Sequence, residues 1–446
     1  MQQADAHEAT PQVSPARRRR RIDHVRVMAR RHGPTSLLWR RRQATLLGAI
    51  ALGLVALVFA EAGDWASRMF LRMVAAYWWS PLIVTPLGFV VLTALTRRFA
   101  PDARGSGIPQ VMVARRAPEA AIRSLVSLRT ALGKFGLTVG ALLIGASTGR
   151  EGPTVQISAA IMARAYKLFR VPLGPAVMVA GGAAGVAAAF NTPLAGVTIA
   201  IEELAAAYEQ RMTLLVMVAV LVSGMVSLGI AGDYTYFGVV AVGLPFQQAL
   251  VIAPVAGVIG GLAGGLFSRA LLRGTLSQAR PLAWLRARPI LTALLCGLVI
   301  AVIGCATGMT WGTSYEPARE IIEGSHSPYW FGPAKALATL ATSLSGAPGG
   351  VFAPSLAVGA GLGDLLKPLF PLAPGGAVVL LGMAGYFTGV VRAPLTSVVI
   401  LSEITGSHAL LLPLLATALI SDAAAGLVCR ERLYHGLSRA FSAHPV

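Results

Sequence analysis

The chain has 446 residues, of which 55% are hydrophobic and 13% charged, with a mean hydropathy of +0.66 and a formal net charge of +19. Apolar runs recur along nearly all of it, which points away from a soluble globular domain and toward an all-α polytopic membrane protein. The short alternating segments of a β-barrel are absent, and Cys296, Cys305 and Cys429 have neither metal-site spacing nor the pattern of a disulfide framework.

The positive charge is concentrated at the start. Eleven arginines fall within residues 1–43, including Arg17 to Arg21 and Arg40 to Arg42. A basic arm can bind nucleic acid, but this one directly precedes an apolar span. Retention on the cytoplasmic side is the better reading, with no nucleic-acid partner. The arm is too long for a signal-peptide n-region. Arg430, Arg432 and Arg439 close the chain, so both termini are expected in the cytoplasm, after an even number of crossings.

Residues 1–43 are expected to form a basic cytoplasmic arm, disordered or lying on the membrane surface. The first membrane repeat is expected over 44–232, with apolar segments at 44–60 and 80–96, the latter ended by Arg97 and Arg98. A polar connection then carries Gly105-Ser106-Gly107-Ile108-Pro109. The segments 135–148 and 154–166 are each too short to cross a hydrocarbon core of about 30 Å. Between them lies Gly149-Arg150-Glu151-Gly152-Pro153. An ionisable pair at membrane depth is costly and marks a functional site by default. The glycines permit tight backbone and Pro153 suits a first helical turn, which gives a broken helix whose free N–H groups face a common point. An extramembrane turn with both charges solvated is the alternative.

The second repeat, 233–446 with a short C-terminal end, has apolar segments at 250–267, 291–309, 331–344, 352–366, 378–390, 395–403 and 410–427. One constant offset relates the halves. Gly145, Gly149, Pro153, Gly174, Gly181, Pro193 and Glu202 map onto Gly346, Gly350, Pro354, Gly375, Gly382, Pro394 and Glu403. The same offset carries the Gly149 motif onto Gly350-Val351-Phe352-Ala353-Pro354. Interrupted apolar segments at matching places in two repeats point to a transporter site at the repeat interface.

Positive helix ends that converge near the bilayer midplane suit an anion. Ser106 is either a hydroxyl donor to that anion or a simple helix cap. Glu151 carries its own negative charge into the place an anion would take, so protonation would release that place and couple the two ions. Glu202 has a twin in Glu403 and reads as structural. Glu203 aligns with Ile404 and is either a proton acceptor on the inner side or a solvated helix-end acid.

At these residues the chain resembles the CLC family of chloride channels and chloride/proton exchangers. The stretches Gly105 to Pro109, Gly149 to Pro153 and Gly350 to Pro354 look like its three signatures, in order. The resemblance covers residue 44 to the C-terminus and implies an inverted repeat with interrupted helices meeting near the midplane. It also implies a homodimer with one anion path per subunit. It implies that Ser106 and Tyr434 hold the central anion with the N–H groups of Val351 and Phe352. Gly105, Gly107, Ile108, Pro109, Arg150 and Gly152 belong to the same anion-binding stretches. Glu151 would be the gate and Glu203 the internal proton-transfer acid. Lys134 matches a basic position of bacterial members, while Gln110 and Met112 stand where relatives can carry acids, leaving Lys134 without an evident partner. With 12 residues after Tyr434, the likeness is to bacterial members without cytoplasmic nucleotide-binding domains.

The expected function is chloride/proton antiport in a bacterial inner membrane, with chloride, protons and lipid as partners. The alternative is a passive voltage- or pH-gated chloride channel on the same fold. No enzyme motif such as HExxH is present, and nothing in the pattern calls for a cofactor or metal.

Overall fold

The computed structural model describes residues 15–204, 210–232, 236–240 and 243–442, with side chains from Ser36 onward and outside 210–212. The first part of the basic arm lies outside the described residues. From Pro15 the backbone is helical, and α1 (Pro15–Ala76) runs through the rest of the arm into the first span without a break. Arginine, alanine and leucine favour helix, and no proline follows Pro34 before Ala76.

The first half continues with α2 (Pro81–Phe99), α3 (Ile108–Ala114), α4 (Pro118–Ala121), α5 (Leu128–Leu143), α6 (Glu151–Leu168), α7 (Pro175–Phe190) and α8 (Pro193–Ile199). A π-turn, Ala200–Leu204, follows, and then α9 (Gln210–Ala231). The second half contains α10 (Phe246–Leu276), α11 (Arg280–Arg286), α12 (Pro289–Thr307), α13 (Tyr315–Ile322) and α14 (Phe331–Leu344). It ends with α15 (Phe352–Leu366), α16 (Gly375–Val391), α17 (Pro394–Thr405), α18 (Leu411–Val428) and α19 (Leu433–Ser442). Proline opens the first turn of α2, α3, α7, α8, α12 and α17, where its missing N–H costs nothing. Every regular element among the described residues is helical.

Six of these helices are long and apolar enough to cross a membrane. Their outward faces carry stripes such as Leu294, Leu298 and Val302 on α12, exposed at helical spacing. Exposed apolar stripes of this kind face lipid. The inner helices are of another sort. From Val177 to Phe190 in α7, and from Ala377 to Val391 in α16, every residue is buried.

Small residues allow that packing. A Cβ on Gly260 would come within 2.5 Å of the Gly385 backbone, and one on Gly264 within 2.6 Å of Tyr386 O, so α10 and α16 meet backbone to backbone. In the first half, a Cβ on Gly181 would lie 2.8 Å from Met162 Cβ, and its counterpart Gly382 sits against Gly359 and Gly363 of α15.

Two exchanges display the relation between the repeats. Gly149 N–H donates to Gly350 O at 2.8 Å, and Gly350 N–H donates back to Gly149 O at 2.7 Å. Glu202 accepts from the amides of Leu395 and Thr396 at 3.2 and 2.8 Å. Glu403 accepts from those of Leu194 and Ala195 at 3.0 and 2.8 Å. In each exchange, equivalent residues swap identical contacts, the signature of a two-fold axis. The fold is an inverted repeat whose interrupted helices meet where Gly149 and Gly350 pair.

Candidate functional site

Three non-helical stretches converge at this junction. Gly105 bridges to Pro348, with Gly349 N–H donating to Gly105 O at 3.1 Å, and Gly149 bridges to Gly350. Gly107 has φ +113°, and a Cβ on it would lie 2.5 Å from Gly152 O. Both facts require glycine there. The structure thus brings Gly105, Ser106, Gly107, Ile108, Pro109, Glu151, Gly152, Val351, Phe352 and Tyr434 into one buried region. The broken-helix reading holds, with a wider break than expected: α5 ends at Leu143 and α6 begins at Glu151. Glu151 and Arg150 are buried, so the solvated-turn alternative is excluded.

Ser106 is not a helix cap. Gly107 N–H donates to Gln110 Oε1 at 3.0 Å, so Gln110 satisfies the start of α3. Gln110 Nε2 donates in turn to Arg104 O at 2.7 Å. The Ser106 and Tyr434 hydroxyls are near enough to interact with each other, yet neither makes a well-formed hydrogen bond to a described protein group. Buried hydroxyls left without such partners are costly unless something else takes the bond. Phe352 packs against both Tyr434 (ring centroids 5.9 Å) and Phe387 (5.1 Å), which fixes an aromatic wall at the start of α15. The first N–H groups of α6 and α15 have no intrahelical partners.

A cavity of about 470 Å³ reaches Ser106, Val351 and Tyr434 from a mouth that carries Arg97, Arg104 and Arg286, with Asp102 as its acid. Its charge favours anions. Lys134 is fully buried and donates to Gly105 O at 2.5 Å and Ala103 O at 2.8 Å. Its partners are therefore carbonyls, and it pins the loop that presents Ser106.

Arg150 turns away from the anion groups. Its guanidinium pairs with Asp64 at 2.6 Å and donates to Ala60 O at 2.5 Å, tying α6 to α1. A direct ligand role for Arg150 is not supported by that geometry. Glu151 receives a hydrogen bond of 2.6 Å from the Tyr315 hydroxyl. Its Oε2 lies so close to Gly149 that any Cβ there would overlap it.

Glu203 is fully buried, and neither of its oxygens has a hydrogen-bond partner among the described residues. His435 Nδ1 stands 3.6 Å from Glu203 Oε1, and the His435 side chain is 43% exposed. The solvated-acid reading of Glu203 does not fit this burial. Arg115 donates to Leu204 O beside it.

Tyr315, His435, Asp64 and Lys335 were not singled out by sequence reasoning. Lys335 had a signal, since the repeat offset carries Lys134 onto it. The other three are brought in by long-range packing.

Two-fold repeats, interrupted helices and a buried polar junction define an integral membrane protein of the inverted-repeat transport class. The family model described as voltage gated chloride channel matches residues 87–426, and the chain belongs to that family. Among its relatives, the H(+)/Cl(−) exchange transporter ClcA of Klebsiella pneumoniae (strain 342) is 31% identical over 447 residues, covering 93% of this chain and 91% of its own. ClcA of Vibrio parahaemolyticus serotype O3:K6 is 29% identical over 390 residues, covering 83% and 81%. A solved slow cyanobacterial Cl−/H+ antiporter superposes with a TM-score of 0.77 at 24% identity, covering 91% of this chain and 98% of that one. A CLC-type fluoride/proton antiporter gives 0.74 at 23% identity, covering 86% and 95%. These structures share the fold.

Proposed function

We propose that the protein is a chloride/proton antiporter with Glu151 as the gate shared by both ions. Chloride passes Ser106, Tyr434 and the first amides of α15, where hydroxyls and backbone N–H groups replace its hydration without a full countercharge. Protons part from that route on the inner side and pass through Glu203. The carrying observation is the burial of Glu203 without a hydrogen-bond partner among the described residues, while the adjacent Glu202 is fully used as a cap. A buried carboxylate beside an exposed histidine suits proton exchange with water. The relatives named as H(+)/Cl(−) exchange transporters support the same reading.

The repeats would span 44–232 and 233–446. The protein would work as a homodimer in a bacterial inner membrane, with both termini cytoplasmic. The arginine-rich arm before the first span supports that orientation. A channel would lack the proton step. The test is paired chloride and proton flux from liposomes at opposed gradients. Glu151→Gln should keep chloride flux and lose proton coupling. Coupling that survives in that variant refutes the gate, and no coupling in the unmutated protein leaves only the channel.

A further inference from the structure

We propose that Tyr315 is a hydroxyl latch on Glu151, a positioning residue that holds the charged gate in its closing place and sets how readily protonation frees it. The inference rests on the reading of Glu151 as the gate.

The contact itself is short and single. Tyr315 Oη donates to Glu151 Oε1 at 2.6 Å, across 164 positions of sequence. Oε2 has no hydrogen-bond partner among the described residues. The neighbouring cation makes no hydrogen bond to it: Arg150 donates to Asp64, Ala60 O and the Tyr236 hydroxyl.

The surroundings are built to hold that hydroxyl in place. The Tyr315 ring stacks on Tyr236, with centroids 4.9 Å apart and planes 26° from parallel, and meets Phe237 edge-on at 5.3 Å. The residue before it, Ser314, has φ 58° and ψ 38°. A non-glycine residue keeps that conformation only when its environment imposes it. Ser314 Oγ donates to Met309 O at 2.8 Å. Lys335, fully buried on α14, donates to Thr310 O at 3.1 Å and Gly312 O at 2.7 Å. Thr148 N–H donates to the same Gly312 O at 3.2 Å. The loop that carries Tyr315 is thus tied both to α14 and to the segment just before Glu151.

Other titratable groups around α6 do not compete for Glu151. No residue of α3 or α7 is ionisable. From α1, Asp64 is paired with Arg150, and from α5, Lys134 is held by carbonyls. From α15, Asp364 pairs with Lys367. The Tyr236 hydroxyl donates to Ala189 O, and among the described residues no hydrogen bond joins Tyr434 to Glu151.

A phenol donates more strongly to a carboxylate than to a neutral acid. The latch therefore favours the charged, closed gate. Without it, the gate should open at a lower proton concentration.

The experiment is chloride flux from liposomes across a pH series, with the same pH on both sides. Tyr315→Phe keeps the ring and removes only the hydroxyl. Its midpoint should move to higher pH by about one unit, the effect of losing one charge-assisted hydrogen bond. Flux at alkaline pH should rise several-fold, and the proton-to-chloride ratio should stay unchanged. Substituting 3-fluorotyrosine at position 315 gives a stronger donor and should move the midpoint the other way, which packing alone would not do. In a Glu151→Ala background, Tyr315→Phe should have no effect on the profile.

A Tyr315→Phe profile that overlays the unmutated one overturns the latch, as does an equal shift in the Glu151→Ala background. If the unmutated protein moves chloride without protons, the antiport reading fails, while the chloride profiles still decide the latch.

Discussion

Lys134 and Lys335 occupy equivalent positions in the two repeats, and each buries its ammonium completely against two backbone carbonyls. Lys134 holds the loop of Ala103 and Gly105 that leads to Ser106; Lys335 holds the loop of Thr310 and Gly312 that leads to Tyr315. Among the described residues, neither has a carboxylate within ion-pair distance. One inherited device thus supports a different polar group on each side of the two-fold axis.

Replacing Lys134 by methionine keeps the side-chain length and removes the donor. Ala103 O then loses the lysine donor, at about 1–3 kcal/mol, while Gly105 O keeps only the Gly349 amide. Chloride affinity, measured by calorimetric titration of detergent-purified protein, should fall, because the Ser106 loop loosens. Unchanged affinity in a folded variant would show that the Ser106 loop keeps its place without the lysine.

The exchanged caps make a separate prediction about stability. Glu403→Gln leaves one oxygen to serve the amides of Leu194 and Ala195 and removes the charge at the start of α8. Loss of a cap costs about 0.5–2 kcal/mol. The thermal midpoint of the purified protein should drop by a few degrees. A midpoint equal to that of the unmutated protein would mean that the two-fold contact adds nothing to the packing around it.

Ser106 is predicted to tune anion choice. Its hydroxyl is buried and its helix-capping duty is taken by Gln110. Ser106→Pro removes a directed donor worth about 0.5–1.5 kcal/mol, so the nitrate-to-chloride flux ratio should rise by up to about tenfold. A ratio that does not move would place Ser106 off the path.

Much of this was legible in the sequence because glycine and proline mark backbone requirements locally. The stretches 331–344 and 352–366 coincide with α14 and α15, and the repeat offset located both halves of the Gly149–Gly350 pairing. The continuity of α1 was not legible, since a dense run of arginines reads as a surface arm whether or not its backbone is helical. Nor was Tyr315 legible. Its hydroxyl meets Glu151 because α13 packs on α15 and α16 and the loop before it is tied to the segment before α6, and no local pattern encodes that approach.

The last prediction separates the proton route from the anion route. Glu203 has no twin, because Ile404 holds the equivalent place and is buried among apolar neighbours. A structural acid would be kept in both halves, as Glu202 and Glu403 are. Glu203 is enclosed, so it needs a group that reaches water. His435 is that group by position, half-exposed and 3.6 Å away. The distance is too long for a direct hydrogen bond, so the proposed transfer would need a small ring movement or one bridging water. Arg115 anchors the backbone beside Glu203 through Leu204 O and holds that geometry. Glu203→Gln should stop proton transport and leave chloride moving. His435→Gln should slow proton transport several-fold with Glu203 intact, and chloride flux should persist because Ser106 and Tyr434 are untouched. Paired chloride and proton flux from liposomes reads both variants. Full coupling in Glu203→Gln would remove the acid from the route. A normal proton rate in His435→Gln, beside a silent Glu203→Gln, would give Glu203 another path to water.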